Sequence, residues 1–258
     1  MIFKIKSNLS LNSLPALIIP IDKQTLHSDK LDEIVSMTSL SVAQVRQDFK
    51  AAHGTVHLIY TSDAKLFLLG VGEQPNTRQV LLAFRKLAHQ HAHQLPSTVG
   101  IHLLEEGYQA AYISAAVNGL LLGQYRIGKY KTSTASIHPL ESDESSVTIF
   151  TKLNAQVAEN AAAEGAATAA TQRSIMHLVN APSNKKPPQV LADWAVASGE
   201  ANGYEVTVFE KERIVELGLG ALLAVNRGSE TPPRFIIMEY KGEGAMQKIG
   251  LLGKGVTF

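Results

Sequence analysis

The 258 residues suffice for one large domain or two ordinary ones, each with a buried core. Hydrophobic residues at 45% and charged residues at 18% exclude a disordered chain, and 24 basic against 23 acidic side chains argue against nucleic acid or an anionic membrane as the main partner. The absence of cysteine excludes disulfides, Cys-ligated zinc and a thiol nucleophile.

The opening MIFKIKSNLSLNSLPALIIPI lacks the continuous apolar core and cleavage site of a signal peptide. No stretch reaches the roughly 18 uninterrupted apolar residues that span a bilayer. The expectation is a soluble, cytoplasmic protein. FKIK (3–6) and ALIIPI (16–21) read as short strands. Ser41 is placed to cap a helix through VAQVRQDFKAAH, closed by Gly54. TVHLIY (55–60) and KLFLLGVG (65–72) read as a hairpin pair joined by TSDA.

From Thr77 to Leu95, Val80, Phe84, Leu87 and His91 follow helical spacing. STVGIHLLE (97–105) is another strand, and QAAYISAAVNGLLLG (109–123) a buried helix. Residues 132–146 read as a polar excursion before a last strand, VTIFTK. Strands separated by helices predict an α/β sandwich with a largely parallel or mixed sheet. The alanine-rich run from Asn154 to Asn180, interrupted only by Gly165, predicts a long connecting helix.

Beyond it, Pro187 and Pro188 open a helix that Gly203 ends. YEVTVFE is a strand, KERIVELG a short helix, GALLAVNRGS a buried apolar run, and RFIIMEYKG and QKIGLLG two further strands. This is the opening of a second α/β domain.

Generic motifs say little. In HQHAH, a helix puts His89 and His93 on one face and turns His91 away, leaving two ligands where a metal site needs three or four. LLGVGEQPN has Gly70 and Gly72 after a strand but lacks the third glycine of a dinucleotide turn. GLLGKGVT fails as a P-loop, since Lys248 stands where the first glycine belongs and Gly255 where Ser or Thr belongs. There is neither a G-x-S-x-G elbow nor an HExxH pair.

Three longer blocks are more specific: LVNAPSNKKPP, then LGLGALLAVNRGSETPPRFIIMEYKG, then IGLLGKGVTF. In this order and spacing they resemble the leucyl aminopeptidase family, the cytosol aminopeptidases. KLFLLGVG and VNGLLLGQYRIGKYKT (117–132) look like parts of that family's N-terminal domain. Leu219 departs from the usual methionine and Asn226 from a frequent glycine.

The resemblance implies an α/β protein in three parts. An N-terminal α/β sandwich domain with a mixed sheet covers 1–150, a linker helix 151–179, and the incomplete start of an α/β aminopeptidase catalytic domain 180–258. It implies metal-dependent release of N-terminal, leucine-like amino acids from peptide substrates, with two divalent ions (manganese or zinc) held by one lysine and four carboxylates. Lys254 matches the lysine ligand, and the next ligand in the family pattern follows the position of Phe258. A lysine ligand must lose its proton despite a reference pKa of about 10.4, which burial and adjacent dications favour. Lys254 without such neighbours is a solvated turn lysine.

The expectation is therefore that these residues bind no metal and are inactive alone. The family's homo-hexamer, with contacts largely in the catalytic domain, is not expected to form from them. Neither nucleic acid nor a membrane is expected as partner. Two other readings stand beside this one: a binding module holding a nucleotide-like ligand at Gly70 and Gly72 or a protein partner, and a regulatory paralogue that assembles with a full-length subunit.

Overall fold

Residues 1–9, 14–104, 107–127, 137–142, 144–244 and 246–257 are described by the computed structural model. They divide into two compact units, Met1–Ile175 and Met176–Phe258. The division falls inside the alanine-rich helix α6, Ala155–Asn180.

The first unit is built on six strands: β1 (Ile2–Lys6), β2 (Ala16–Asp22), β3 (Val56–Tyr60), β4 (Lys65–Gly72), β5 (Thr98–Leu103) and β6 (Ser146–Thr151). They lie in the order β1-β6-β5-β2-β4-β3. Every neighbouring pair is parallel except β3–β4. The sheet is thus mixed and mostly parallel. Its central strands are near-continuous apolar runs because both faces are covered.

The pleat sorts these runs between two cores. Ala16 and Ile18 of β2, with Phe67, Leu69 and Val71 of β4, face one core. Leu17, Ile19, Ile21, Leu66 and Leu68 face the other. The first core is closed by α4 (Thr77–Gln90), α5 (Ala110–Gly123) and the first half of α6. The second is closed by three short helices, α1 (Lys23–Leu26), α2 (Lys30–Val35) and α3 (Val42–Asp48).

Glycines let the helices of the first core approach closely. A Cβ on Gly119 of α5 would stand 2.2 Å from the Leu81 carbonyl oxygen of α4, and one on Gly165 of α6 would stand 2.4 Å from that of Ser114. The helix starts follow their caps. Ser41 and Asn76 each form a reciprocal capping box, with Gln44 and Gln79.

Several expectations need correction. The helix after Ser41 ends at Asp48 rather than at Gly54, because Phe49 turns extended and inserts, 2% exposed, into the second core. Helices α1 and α2, unforeseen, follow β2; Asp22 caps the first by accepting a 2.6 Å hydrogen bond from the Thr25 amide. The strand expected at 97–105 and the excursion at 132–146 lie partly outside the described residues. His138, in the latter stretch, is 2% exposed: Nε2 donates to the Ala88 carbonyl at 2.9 Å and Nδ1 accepts from the Leu140 amide at 3.1 Å.

The second unit comprises the end of α6, α7 (Pro188–Asn202), β7 (Glu205–Phe209), α8 (Lys211–Glu216), α9 (Gly220–Asn226) and β8 (Phe235–Glu239). Pro188 opens α7 at its first position, and Gly203 closes it in the left-handed conformation, φ 71°. Strands β7 and β8 pair antiparallel. GALLAVNRGS is not the expected buried run but the helix α9 and a turn, and none of the helix's residues is buried. QKIGLLG is not a strand: no described strand pairs with it, and Ile249, Leu251 and Leu252 are 88–98% exposed.

Candidate functional site

Lys254 is the one sequence-predicted ligand. It is exposed, in a stretch (246–257) without regular secondary structure. Gly255 beside it approaches α7, where an added Cβ would meet Leu191 Cδ1 at 3.6 Å. Val256 and Thr257 are half-buried. Among the described residues no group of three or more His, Asp or Glu side chains could hold a metal ion. The residues present therefore do not fit a pair of divalent ions, which need several anionic or imidazole donors converging at about 2 Å.

The other family-like blocks build the surroundings of this stretch. LVNAPSNKKPP covers the end of α6, a 3₁₀ turn at Ser183–Lys185 and the start of α7. Lys186 Nζ donates to the Val179 carbonyl at 2.8 Å, drawing the turn back onto the helix end. In NRGSETPPR, Asn226 donates to the Thr231 carbonyl at 2.9 Å. The residue that departs from the family glycine thus clasps the loop. Arg234, its side chain 13% exposed, donates to Gln189 of α7 at 2.7 Å and lies 3.6 Å from Glu210 after β7. It ties the start of β8 to two neighbouring elements.

Gly70, Gly72 and His91 are used structurally, while His89 and His93 are exposed. The Gly70 amide donates to the Thr55 carbonyl at 2.8 Å and the Gly72 amide to that of Ala51 at 3.1 Å. Neither amide is available to cradle a phosphate, so the nucleotide-like reading does not hold at these two glycines. His91 shares a 2.5 Å hydrogen bond with Gln94 and packs edge-on against Phe67.

Two family models match the chain in succession. The N-terminal domain of the cytosol aminopeptidase family matches residues 20–134, and its catalytic domain matches residues 173–258. Probable cytosol aminopeptidases are similar over most of the chain. That of Chlorobaculum tepidum is 35% identical over 84% of this chain and 47% of its own length. That of Chloroherpeton thalassium is 32% identical over 98% and 54%.

A mutant of tomato leucine aminopeptidase has a similar fold, with a TM-score of 0.79 at 20% identity, over 96% of this chain and 52% of that one. The bottromycin maturation enzyme BotP, solved in complex with Mn, gives 0.66 at 22% identity, over 90% and 46%. The chain spans about half the length of the relatives it matches. With both domain models matching in order and a mostly parallel α/β sheet, the chain belongs to the cytosol aminopeptidase family.

Proposed function

We propose that this chain contributes the N-terminal domain (1–150), linker helix (151–179) and opening of the catalytic domain (180–258) of a metal-dependent leucyl aminopeptidase acting on peptides in the cytoplasm. The observation that carries this reading is the succession of the two family models along the chain. No helix is long and apolar enough to cross a membrane among the described residues.

In this reading Lys254 is one ligand of a two-ion manganese or zinc centre, and the carboxylates come from outside these residues. When bound, such ions supply Lewis-acid and nucleophile-generating chemistry. No hydrolytic step is assigned to the residues of this chain, and by themselves they are proposed to be inactive. The 88–98% exposure of Met246, Ile249, Leu251 and Leu252 supports a C-terminal unit whose apolar side chains are covered by further protein.

Joining residues 1–258 to the C-terminal half of the Chloroherpeton relative tests the assignment. Metal-dependent hydrolysis of leucine p-nitroanilide is expected, with loss in Lys254→Ala. Undiminished turnover in that variant overturns the role given to Lys254.

A further inference from the structure

The first unit contains an open crevice of about 350 Å³. Its walls come from the loops after β2, β4 and β5, the carboxyl ends of three adjacent parallel strands. The chain leaves β2 toward α1–α3 on one face of the sheet, and leaves β4 and β5 toward α4 and α5 on the other. The crevice therefore lies at a topological switch point, where open α/β sheets bind ligands. Its volume falls within the range of small-molecule sites.

The lining has two chemically distinct parts. Tyr108 and Tyr112 stand edge to face with ring centroids 5.5 Å apart. Tyr108 Oη donates to the Pro20 carbonyl at 3.3 Å and Tyr112 Oη to the Pro75 carbonyl at 2.7 Å. Tyr108 is thus tied to strand β2 and Tyr112, in α5, to the loop after β4, and the pair offers a ligand ring surface rather than donors. The second part is polar: Asp22, Gln24, Thr25 and Ser28 on one side, Glu73 and Gln74 on the other. Asp22 Oδ1 already accepts from the Thr25 amide, but a carboxylate has lone pairs for further bonds.

An aromatic surface beside carboxylate and amide acceptors matches a planar heteroaromatic ring joined to a polyol. Among the described residues the lining carries two carboxylates (Asp22, Glu73) and one ammonium (Lys30), and Glu73 is further paired with Lys23 at 3.1 Å, so the crevice has no excess of cations to hold a phosphate-rich ligand. The glycine amides that could cradle phosphate, Gly70 and Gly72, are bonded within the sheet edge. We propose that this crevice binds a ribonucleoside, with its base against Tyr108 and Tyr112 and its vicinal hydroxyls donating to the carboxylate of Asp22.

The site is independent of the aminopeptidase reading, since it needs neither metal nor peptide. Isothermal titration of the 258-residue chain with adenosine, guanosine, cytidine and uridine tests it, with 2′,3′-dideoxyadenosine and AMP as comparisons. At least one ribonucleoside is expected to bind saturably at one site. Removal of its vicinal hydroxyls, or addition of a phosphate, is expected to weaken binding about tenfold or more.

Asp22→Asn retains a helix-capping residue and is expected to reproduce the loss seen with the dideoxynucleoside. Tyr112→Leu is expected to weaken every ligand about tenfold through lost stacking. No binding by any of the four at millimolar concentration, or binding that either substitution leaves unchanged, overturns the proposal. Should Tyr112→Leu fail to fold, Asp22→Asn with the dideoxynucleoside decides alone.

Discussion

Gly119→Ala adds one methyl group where α5 crosses α4. In an isolated helix the change is favourable, by about 1 kcal/mol. Here the new Cβ would lie 2.2 Å from the Leu81 carbonyl oxygen and 3.0 Å from Phe84 Cβ. The oxygen belongs to the backbone of α4 and cannot rotate aside, so the helices must separate by about 1 Å to restore ordinary contact, a gap that forfeits much of the dispersion attraction across it.

Val80, Phe84 and Leu87 of α4 and Val117 and Leu120 of α5 are all 0% exposed, and separation loosens their packing together. Overpacking of this kind costs about 3 kcal/mol. Subtracting the helical gain leaves a net loss of about 2 kcal/mol, or a Tm about 4–8 °C lower for a unit of this size. Urea denaturation followed by circular dichroism measures it. Gly220→Ala is the control, with nothing within 4 Å of its added Cβ, and is expected to be neutral or slightly stabilising. A Gly119→Ala protein as stable as its parent would refute the close-contact account of the helix layer.

Burial, the largest cause, holds His138 below the ordinary imidazole range, with Arg126 and Arg173 acting in the same direction and the Ala88 hydrogen bond and Glu141 opposing. The unfolded state then takes up its proton first, near pH 6.5. The contribution is complete above that pH and is lost as pH falls from there through the folded value. Urea midpoints at pH 7.5 and 5.5 are expected to show this drop, and His138→Gln to lose its share of it. Arg234→Ala is expected to destabilise the second unit by about 1–2 kcal/mol, read as a lower unfolding midpoint of that unit, because it removes the charged donor to Gln189; the exposed Glu210 adds little. Amide exchange is expected to be faster after about residue 180 than in the six-stranded sheet, since among the described residues β7 and β8 pair only with each other; uniform protection would contradict this.

Local chemistry made much of the fold legible. Double-sided burial wrote ALIIPI and KLFLLGVG as continuous apolar runs, and Ser41 and Pro188 announced their helices through capping and first-turn chemistry. Elements too short for a periodic signal were missed. Helix α1 has four residues, and its only mark is the Asp22 cap. QKIGLLG has a strand's composition but no described partner, because a strand is defined by its neighbour. Lys254 was singled out only through the resemblance of the blocks that surround it. The crevice was illegible because Asp22, Pro75 and Tyr112 are brought together by strand order rather than by sequence spacing.

Steady-state hydrolysis of leucine p-nitroanilide by the purified 258-residue chain, with Mn²⁺ or Zn²⁺ supplied, addresses the proposed inactivity of these residues by themselves most directly. With no described cluster of metal-ligating side chains around this exposed lysine, no metal-dependent turnover is expected. Turnover that survives removal of contaminating peptidases and disappears in Lys254→Ala would contradict it.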